Sequence, residues 1–238
     1  MVRIRSFFFG LVWILCACSL QAQTSKEHFD KGNQLLHSND PKGAIIEYIR
    51  AIELFPKYTE AFFNRGMAKA RLGSYEEAIT DYSIAIMLEP RYADAYNNRG
   101  VAYANLKRYY AAIYDFSTAI VLNPKSTEAY NNRGYYNSIL GKYEKAIPDF
   151  TRAIHLNSSY GFVYNNRGLA YFNLKKYPQA LADYETSIAK NPYNSWVYLN
   201  RGNYYQFFGD LVKACQDWSK ASALGSKEAF EKTVKYCE

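Results

Sequence analysis

The sequence contains little of what metal centres and catalytic sites are built from. Among its 238 residues there are four cysteines and three histidines, and His28, His37 and His155 lie far apart. Metal ions in proteins are held by closely spaced His, Cys and carboxylate side chains. The sequence also shows no Ser/His/Asp set, no isolated carboxylate pair and no phosphate-binding loop. We therefore predict no metal, no cofactor and no enzymatic activity.

The positive charge is modest and is spread along the chain. Lys and Arg number 29 and Asp and Glu number 22, and the basic residues form no cluster. Proteins that bind nucleic acid concentrate Lys and Arg in a patch that neutralises phosphates. We therefore expect no nucleic-acid partner, although the chain is basic and contains 24 tyrosines.

What the sequence does contain is a repeat. The tripeptide Asn-Arg-Gly recurs at a constant spacing of 34 residues and ends at Gly66, Gly100, Gly134, Gly168 and Gly202. A fixed spacing of this length is typical of an array in which each copy buries its apolar face on the next. With the glycine as the eighth position, the six repeats are 25–58, 59–92, 93–126, 127–160, 161–194 and 195–228.

Further positions recur with the same period. Position twenty is always alanine, from Ala44 to Ala214, and position twenty-four is always aromatic, from Tyr48 to Trp218. Position four is aromatic in five repeats, and proline occupies position thirty-two in four. This pattern resembles the tetratricopeptide repeat (TPR) family over residues 25–228. The resemblance implies an all-α, right-handed solenoid of antiparallel helix pairs. A C-terminal cap helix would follow, with 229–238 as its end.

Residue sizes favour the same helix pairs. Small residues at positions eight and twenty let two antiparallel helices approach closely, and the aromatic residues fill the space around them. Helix A is expected at positions one to fourteen, and helix B from seventeen to about thirty. Gly73, Gly141 and Gly209 stand where helix A ends. Pro148 lies six residues inside a predicted helix B, which predicts a local kink.

Residues 1–22 are predicted to be a secretory signal peptide of a bacterial, exported protein. Arg3 and Arg5 precede an apolar run from Phe7 to Leu20, which is shorter than the roughly 20 residues of a membrane span. Cleavage after Ala22 predicts a periplasmic or secreted protein. The alternative is lipidation at Cys18, which would attach the protein to the outer membrane.

The remaining cysteines predict one disulfide. Cys16 and Cys18 lie in the export segment, so the mature chain keeps Cys215 and Cys237. Cys215 is expected on helix B of the sixth repeat, and Cys237 at the end of the cap helix. Two cysteines on neighbouring helices of an exported protein are expected to be oxidised. The alternative is a pair of free thiols.

Three polar positions also recur in five repeats. Arginine at position seven and aspartate at position twenty-three predict one buried ion pair in each of them, since a buried guanidinium needs a carboxylate partner. Five equal pairs do not make a catalytic site. Asparagine at position six is a poor helix former, so we expect its side chain to bond the backbone of the neighbouring repeat.

The resemblance also implies where a partner would bind. In the TPR family, helix A positions two, five, nine, twelve and thirteen line the inner surface. Position five carries no lysine here, so the family's carboxylate clamp does not fit. We predict a groove of amides and aromatic rings made of Asn97, Asn131, Tyr135, Phe162, Asn165, Phe172, Trp196, Asn203 and Phe207.

The resulting hypothesis is a non-catalytic scaffold or adaptor. It would bind a protein or peptide partner in the cell envelope through this groove, with Phe162, Phe172, Trp196 and Phe207 as the hot spot. The alternative is a protein that binds or acts on cell-wall glycans, whose sugars would stack on the same aromatic rings.

Overall fold

The structure is a computed structural model that describes residues 23–237. Its described residues form helices joined by short turns and contain no strand. This confirms the predicted all-α class; the predicted signal peptide and Cys18 lie outside the described residues. The helices are α1 (23–37), α2 (Pro41–Leu54), α3 (Thr59–Arg71), α4 (Tyr75–Leu88), α5 (Ala93–Asn105), α6 (Tyr109–Leu122), α7 (Thr127–Ile139), α8 (Tyr143–Leu156), α9 (Gly161–Asn173), α10 (Tyr177–Lys190), α11 (Ser195–Phe207), α12 (Leu211–Ala223) and α13 (Lys227–Tyr236).

The chain divides into two compact units. The first extends to Leu122 and contains α1 to α6, and the second begins at Asn123 and contains α7 to α13. In each unit an odd-numbered helix packs on the even-numbered helix that follows it. The second unit carries the candidate site, and its last helix, α13, packs on α12.

Close approach of the paired helices depends on the repeated glycine. A methyl group on Gly134 would lie 2.8 Å from Cε1 of Phe150, which is closer than real Cβ contacts. The ring at position twenty-four therefore lies directly on the glycine of the partner helix. All six of these rings are fully buried, namely Tyr48, Tyr82, Phe116, Phe150, Tyr184 and Trp218.

Each Asn-Arg-Gly repeat contains a buried ion pair. The Nε and Nη2 atoms of the arginine donate to both carboxylate oxygens of an aspartate on the next helix, at 2.6–2.9 Å. These bonds raise the pKa of Arg99, Arg133 and Arg201 above the ordinary value, against the lowering effect of burial. The predicted structural pairs are therefore present in all five repeats.

The first repeat replaces this pair with a different arrangement. Glu47 occupies the aspartate position and is buried, with His28 Nδ1 at 2.6 Å, Lys31 Nζ at 2.8 Å and Arg50 Nη1 at 2.9 Å from its carboxylate. The hydrogen bond from Lys31 is the largest influence that lowers the pKa of Glu47. The buried carboxylate at this position therefore has cationic or imidazole partners even in the repeat whose position seven is lysine, Lys31, rather than arginine.

The turns after helix A adopt the left-handed conformation that the glycines predicted. Gly73, Gly141 and Gly209 have φ between 71° and 79°, and Lys107 and Lys175 have φ of 60° and 58°. A residue with a Cβ in this conformation costs about 1–2 kcal/mol. The two lysine turns are therefore less stable than the glycine turns.

We expect Lys107→Gly to raise the free energy of unfolding by about 0.5–1 kcal/mol. The relief of strain exceeds the entropy that glycine loses on folding, which is about 0.5–1 kcal/mol. Urea unfolding would measure the difference, and Gly141→Ala should change it in the opposite direction. A destabilised Lys107→Gly variant would show that the lysine side chain stabilises the turn.

Helix α8 continues through Pro148 as one α-helix.

The C-terminal helix α13 packs beside α12. The Cα atoms of Cys215 on α12 and of Cys237, which follows α13, are 5.7 Å apart. The rings of Trp218 on α12 and Tyr236 on α13 lie 5.8 Å apart. Helix α13 is therefore held to α12 by an aromatic contact beside the cysteine pair.

Candidate functional site

Two adjoining cavities lie between the odd-numbered helices of the second unit. The first, of about 290 Å³, is lined by Tyr135, Ser138, Ile139, Tyr143, Phe150, Asn166, Leu169 and Asn173. The second, of about 330 Å³, is lined by Tyr135, Ile139, Phe162, Asn165, Asn166, Leu169, Trp196 and Asn200. Four of these residues line both cavities. We call the two cavities and their lining the α7–α11 groove.

The walls of the α7–α11 groove are large apolar side chains that the fold leaves accessible. Trp196 is 62 % exposed, Ile139 50 %, Phe162 46 % and Tyr135 42 %. They lie at positions two, nine and thirteen of helix A, which share one face because helical residues three or four apart are neighbours. A concave apolar surface of this kind is typical of a binding site.

A row of asparagines crosses the α7–α11 groove. Asn200 Nδ2 donates to Asn165 Oδ1 at 2.9 Å, and Asn166 Nδ2 donates to Asn131 Oδ1 at 3.3 Å. A longer bond of 3.5 Å runs from Asn165 Nδ2 to Asn166 Oδ1. Each amide is oriented by another amide, and an amide can also donate to and accept from a peptide group.

These bonds correct the prediction for position six. We expected its asparagine to bond the backbone of the neighbouring repeat, but Asn166 and Asn200 bond the side-chain amide of position five in the preceding repeat. Asn64 donates to Asn33 Oδ1, at position nine of the preceding repeat, at 2.7 Å. Asn98 instead donates to the backbone of its own helix, at Asp94 O. The side chain reaches helix A of the preceding repeat where that helix presents an asparagine oxygen.

The structure brings only part of the predicted hot spot together. Phe162 and Trp196 line the same cavity. Phe172 and Phe207 instead belong to a separate cluster of rings, in which Phe172 lies 5.4 Å from Phe207, 5.6 Å from Tyr177 and 6.0 Å from Tyr204. The predicted set of four rings is therefore two surfaces rather than one.

The other predicted site residues also differ in their surroundings. Tyr135 and Asn165 line the α7–α11 groove, and Asn131 bonds its lining residue Asn166. Asn203 accepts a 3.1 Å hydrogen bond from the indole Nε1 of the buried Trp218, so its oxygen is already used. Asn97 is buried and lies in the first unit.

Several lining residues were missing from the predicted site. Ser138 and Ile139 lie at inner positions twelve and thirteen, so the same positional rule could have identified them. Tyr143 and Phe150 belong to α8, which forms the floor, and a rule confined to helix A omits them.

The chemistry of the α7–α11 groove is neutral. Its lining contains no Lys, Arg, Asp, Glu or His. Within residues 23–237, no group of three or more His, Cys, Asp or Glu side chains is arranged to hold a metal ion. Across the same residues, every helix is too short or too polar to span a bilayer. The groove can bury apolar side chains and can hydrogen-bond neutral groups.

Comparison with known families agrees with the repeat pattern. A model of the tetratricopeptide repeat matches residues 93–126, 127–160 and 162–194. Other models of the same repeat match residues 29–86, 68–107 and 183–216. Together these matches extend from the first repeat into the sixth and cover well over half of the chain. No curated protein sequence matches the chain.

Solved structures show the same fold. The chain is similar to pilF of Pseudomonas aeruginosa, with a TM-score of 0.77 and 20 % identity over 90 % of this chain and 99 % of that one. It is similar to MamA at 28 % identity, with a TM-score of 0.61, over 72 % and 97 %. It also resembles YrrB, described as a TPR protein with an unusual peptide-binding site, at 21 % identity and a TM-score of 0.64 over 79 % and 97 %.

Proposed function

The chain belongs to the tetratricopeptide repeat family, and we propose that it is a non-catalytic scaffold or adaptor that presents the α7–α11 groove to a peptide or protein partner in the cell envelope. Proteins built from this repeat generally act as interaction scaffolds, and YrrB is described as having a peptide-binding site. That likeness concerns the fold, so the argument for binding rests on the groove itself.

One observation carries the proposal. Apolar side chains at inner positions would be expected to pack on their neighbours, yet Trp196 remains 62 % exposed and Phe162 46 % exposed beside a neutral cavity. Burying aromatic surface of this kind is the main source of binding energy at protein interfaces. The asparagine row beside these rings supplies donors and acceptors for peptide groups of a bound segment.

The envelope location is part of the proposal and rests on the sequence. Residues 1–22 have the pattern of a secretory signal, and the mature chain retains two cysteines that the fold places side by side. Cleavage after Ala22 would give a periplasmic or secreted protein, whereas lipidation at Cys18 would hold it at the outer membrane. Mass spectrometry of the mature N-terminus distinguishes the two.

We predict that Cys215 and Cys237 form a disulfide in the protein isolated from the envelope. Closing a segment with a sequence separation of 22 residues stabilises the fold by about 3 kcal/mol on the chain-entropy model. Reduction is therefore expected to lower the melting temperature of the C-terminal helices. Thiol labelling of unreduced, denatured protein should modify neither cysteine, and labelling of both would contradict the prediction.

Affinity capture from an envelope extract tests the proposed function. The bait is the mature protein, and the matched bait carries Phe162→Ala and Trp196→Ala. A partner that the first bait retains and the second loses supports the groove. Binding of purified peptidoglycan that needs the same two rings would favour the glycan alternative. Identical capture by both baits would contradict a role for the groove.

A further inference from the structure

The first cavity of the α7–α11 groove lies beside a small residue of α7, Ser138. Ser138 occupies position twelve of its repeat, and the corresponding residue of the next repeat is Phe172. The cavity of about 290 Å³ lies beside Ser138, with Tyr143 and Phe150 of α8 among its walls. We call this space the Ser138 cavity. The chain thus offers two versions of the same position, one with a serine and one with a phenyl ring.

In the next repeat, the chain's own Phe172 occupies the corresponding space. The Phe172 ring lies 5.6 Å from Tyr177, 6.0 Å from Tyr204 and 5.4 Å from Phe207, with edge-to-face or tilted geometry. Such ring pairs stabilise a fold beyond the burial of their area. An aromatic side chain is therefore the natural occupant of this position.

One repeat earlier, most of those rings are missing. The position of Tyr177 keeps a ring, Tyr143, but the positions of Tyr204 and Phe207 carry Ala170 and Asn173. Together with Ser138, three large rings are replaced by smaller side chains at corresponding positions. Tyr143 and Asn173 line the cavity that results. The Ser138 cavity therefore lies at positions that aromatic rings fill in the next repeat.

Size and charge define what would enter the Ser138 cavity. A cavity of about 150 Å³ lined by apolar side chains is enough to bind benzene. The Ser138 cavity is about 290 Å³, so it has room for a phenyl or phenol ring together with its Cβ. Its lining carries no charged side chain, and its polar members are serine, tyrosine and asparagine. A charged side chain would lose its hydration there without gaining an opposite charge.

We infer that the partner is a neutral segment that places an aromatic side chain, phenylalanine or tyrosine, in the Ser138 cavity. The adjoining cavity, beside Phe162 and Trp196, takes a second apolar side chain of the same segment, because both cavities share Tyr135, Ile139, Asn166 and Leu169. This inference rests on the proposed function and specifies the chemistry of its partner.

The test fills the cavity from within. Ser138→Phe introduces the ring that Phe172 supplies at the same position of the next repeat. Asn173→Phe introduces, from the opposite wall, the ring that Phe207 supplies. Asn173 is exposed, so this second variant can be tested even if Ser138→Phe does not fold. Ser219→Phe introduces the same ring at an exposed helical position of α12 that does not line either cavity. Thermal unfolding confirms that each variant is folded before binding is measured.

The probe is a phage-displayed library of random 12-residue peptides selected on the wild-type protein. The selected sequences are then synthesised with a fluorescent label, and their affinities are measured by fluorescence polarisation. We expect the selected peptides to share one aromatic residue, whose replacement by alanine weakens binding roughly tenfold or more. Ser138→Phe and Asn173→Phe should weaken binding by a similar factor, and Ser219→Phe should leave it unchanged.

The outcomes separate this inference from the proposed function. Peptides that need Trp196 but bind Ser138→Phe and Asn173→Phe as they bind the wild type would overturn the inference and leave the groove as the binding site. Peptides that bind Trp196→Ala, Ser138→Phe and Asn173→Phe as they bind the wild type would overturn both. A selection that enriches no peptide would also overturn both.

Discussion

Replacing Arg133 by leucine is expected to lower the free energy of unfolding by about 3–5 kcal/mol, because the change leaves the carboxylate of Asp149 buried without its partner. Both Asp149 oxygens accept from Arg133, at 2.6 and 2.8 Å, and Asp149 is 5 % exposed. The guanidinium also lies 5.9 Å from the ring centre of Tyr130. Chemical denaturation of the variant beside the wild type measures the loss.

The double variant Arg133→Leu, Asp149→Leu is the matched control. Replacing a whole buried ion pair by apolar residues is often close to neutral, so the double variant should recover most of the lost stability. Partner affinity of the folded protein should not change, since Arg133 does not line the α7–α11 groove. An unchanged melting curve with lost binding would identify Arg133 as a contact residue and contradict its structural role.

Replacing Trp196 by alanine is expected to weaken partner binding about thirtyfold, which corresponds to about 2 kcal/mol. The indole is 62 % exposed and lines a cavity of about 330 Å³, so a bound segment would bury most of the ring. The same exposure means that the fold loses little packing when the ring is removed. We expect the free energy of unfolding to change by no more than about 0.5 kcal/mol.

Tyr193→Ala supplies the control for this variant. Tyr193 is an 80 % exposed aromatic residue three positions away that does not line the groove, so its removal should not affect binding. Affinities for the captured partner can be measured by calorimetry, and circular dichroism verifies the fold. If both variants bound the partner as the wild type does, the binding surface would lie elsewhere.

The fold could be predicted from the sequence because its packing repeats. The glycine and the aromatic ring that touch in each helix pair, such as Gly134 and Phe150, occur in every copy at the same distance along the chain. The Arg–Asp pairs were predictable for the same reason, since their partners recur together. Repetition shows which residues the fold requires, and it does so without knowledge of any single contact.

The site was only partly predictable, because its residues do not repeat. Phe162, Phe172, Trp196 and Phe207 all occupy inner positions, and position alone gives them equal status. The structure separates them because the residues opposite differ: Phe172 meets the rings of Tyr177 and Phe207, whereas Phe162 lies beside an open cavity. Which side chains lie opposite each ring is determined only once the neighbouring helix is in place.

The asparagines show the same limit. Their recurrence indicated a structural hydrogen bond, but the acceptor depends on what the preceding helix presents. Asn200 donates a hydrogen bond to Asn165, and Asn166 donates one to Asn131, whereas Asn98 donates to the backbone of its own helix. A propensity argument identifies a residue that needs a partner. It does not identify the partner, which is a property of two helices together.

Site-specific photo-crosslinking of the partner in the native cell envelope tests the central claim most directly. A photoreactive phenylalanine at Leu169 would stand between the two cavities of the α7–α11 groove, and one at Val212 would stand on α12, at an exposed position that lines neither cavity. We predict a crosslinked peptide or protein from position 169 that is absent from position 212 and lost in the Trp196→Ala background. The same adduct from position 212, with none from position 169, would contradict the claim.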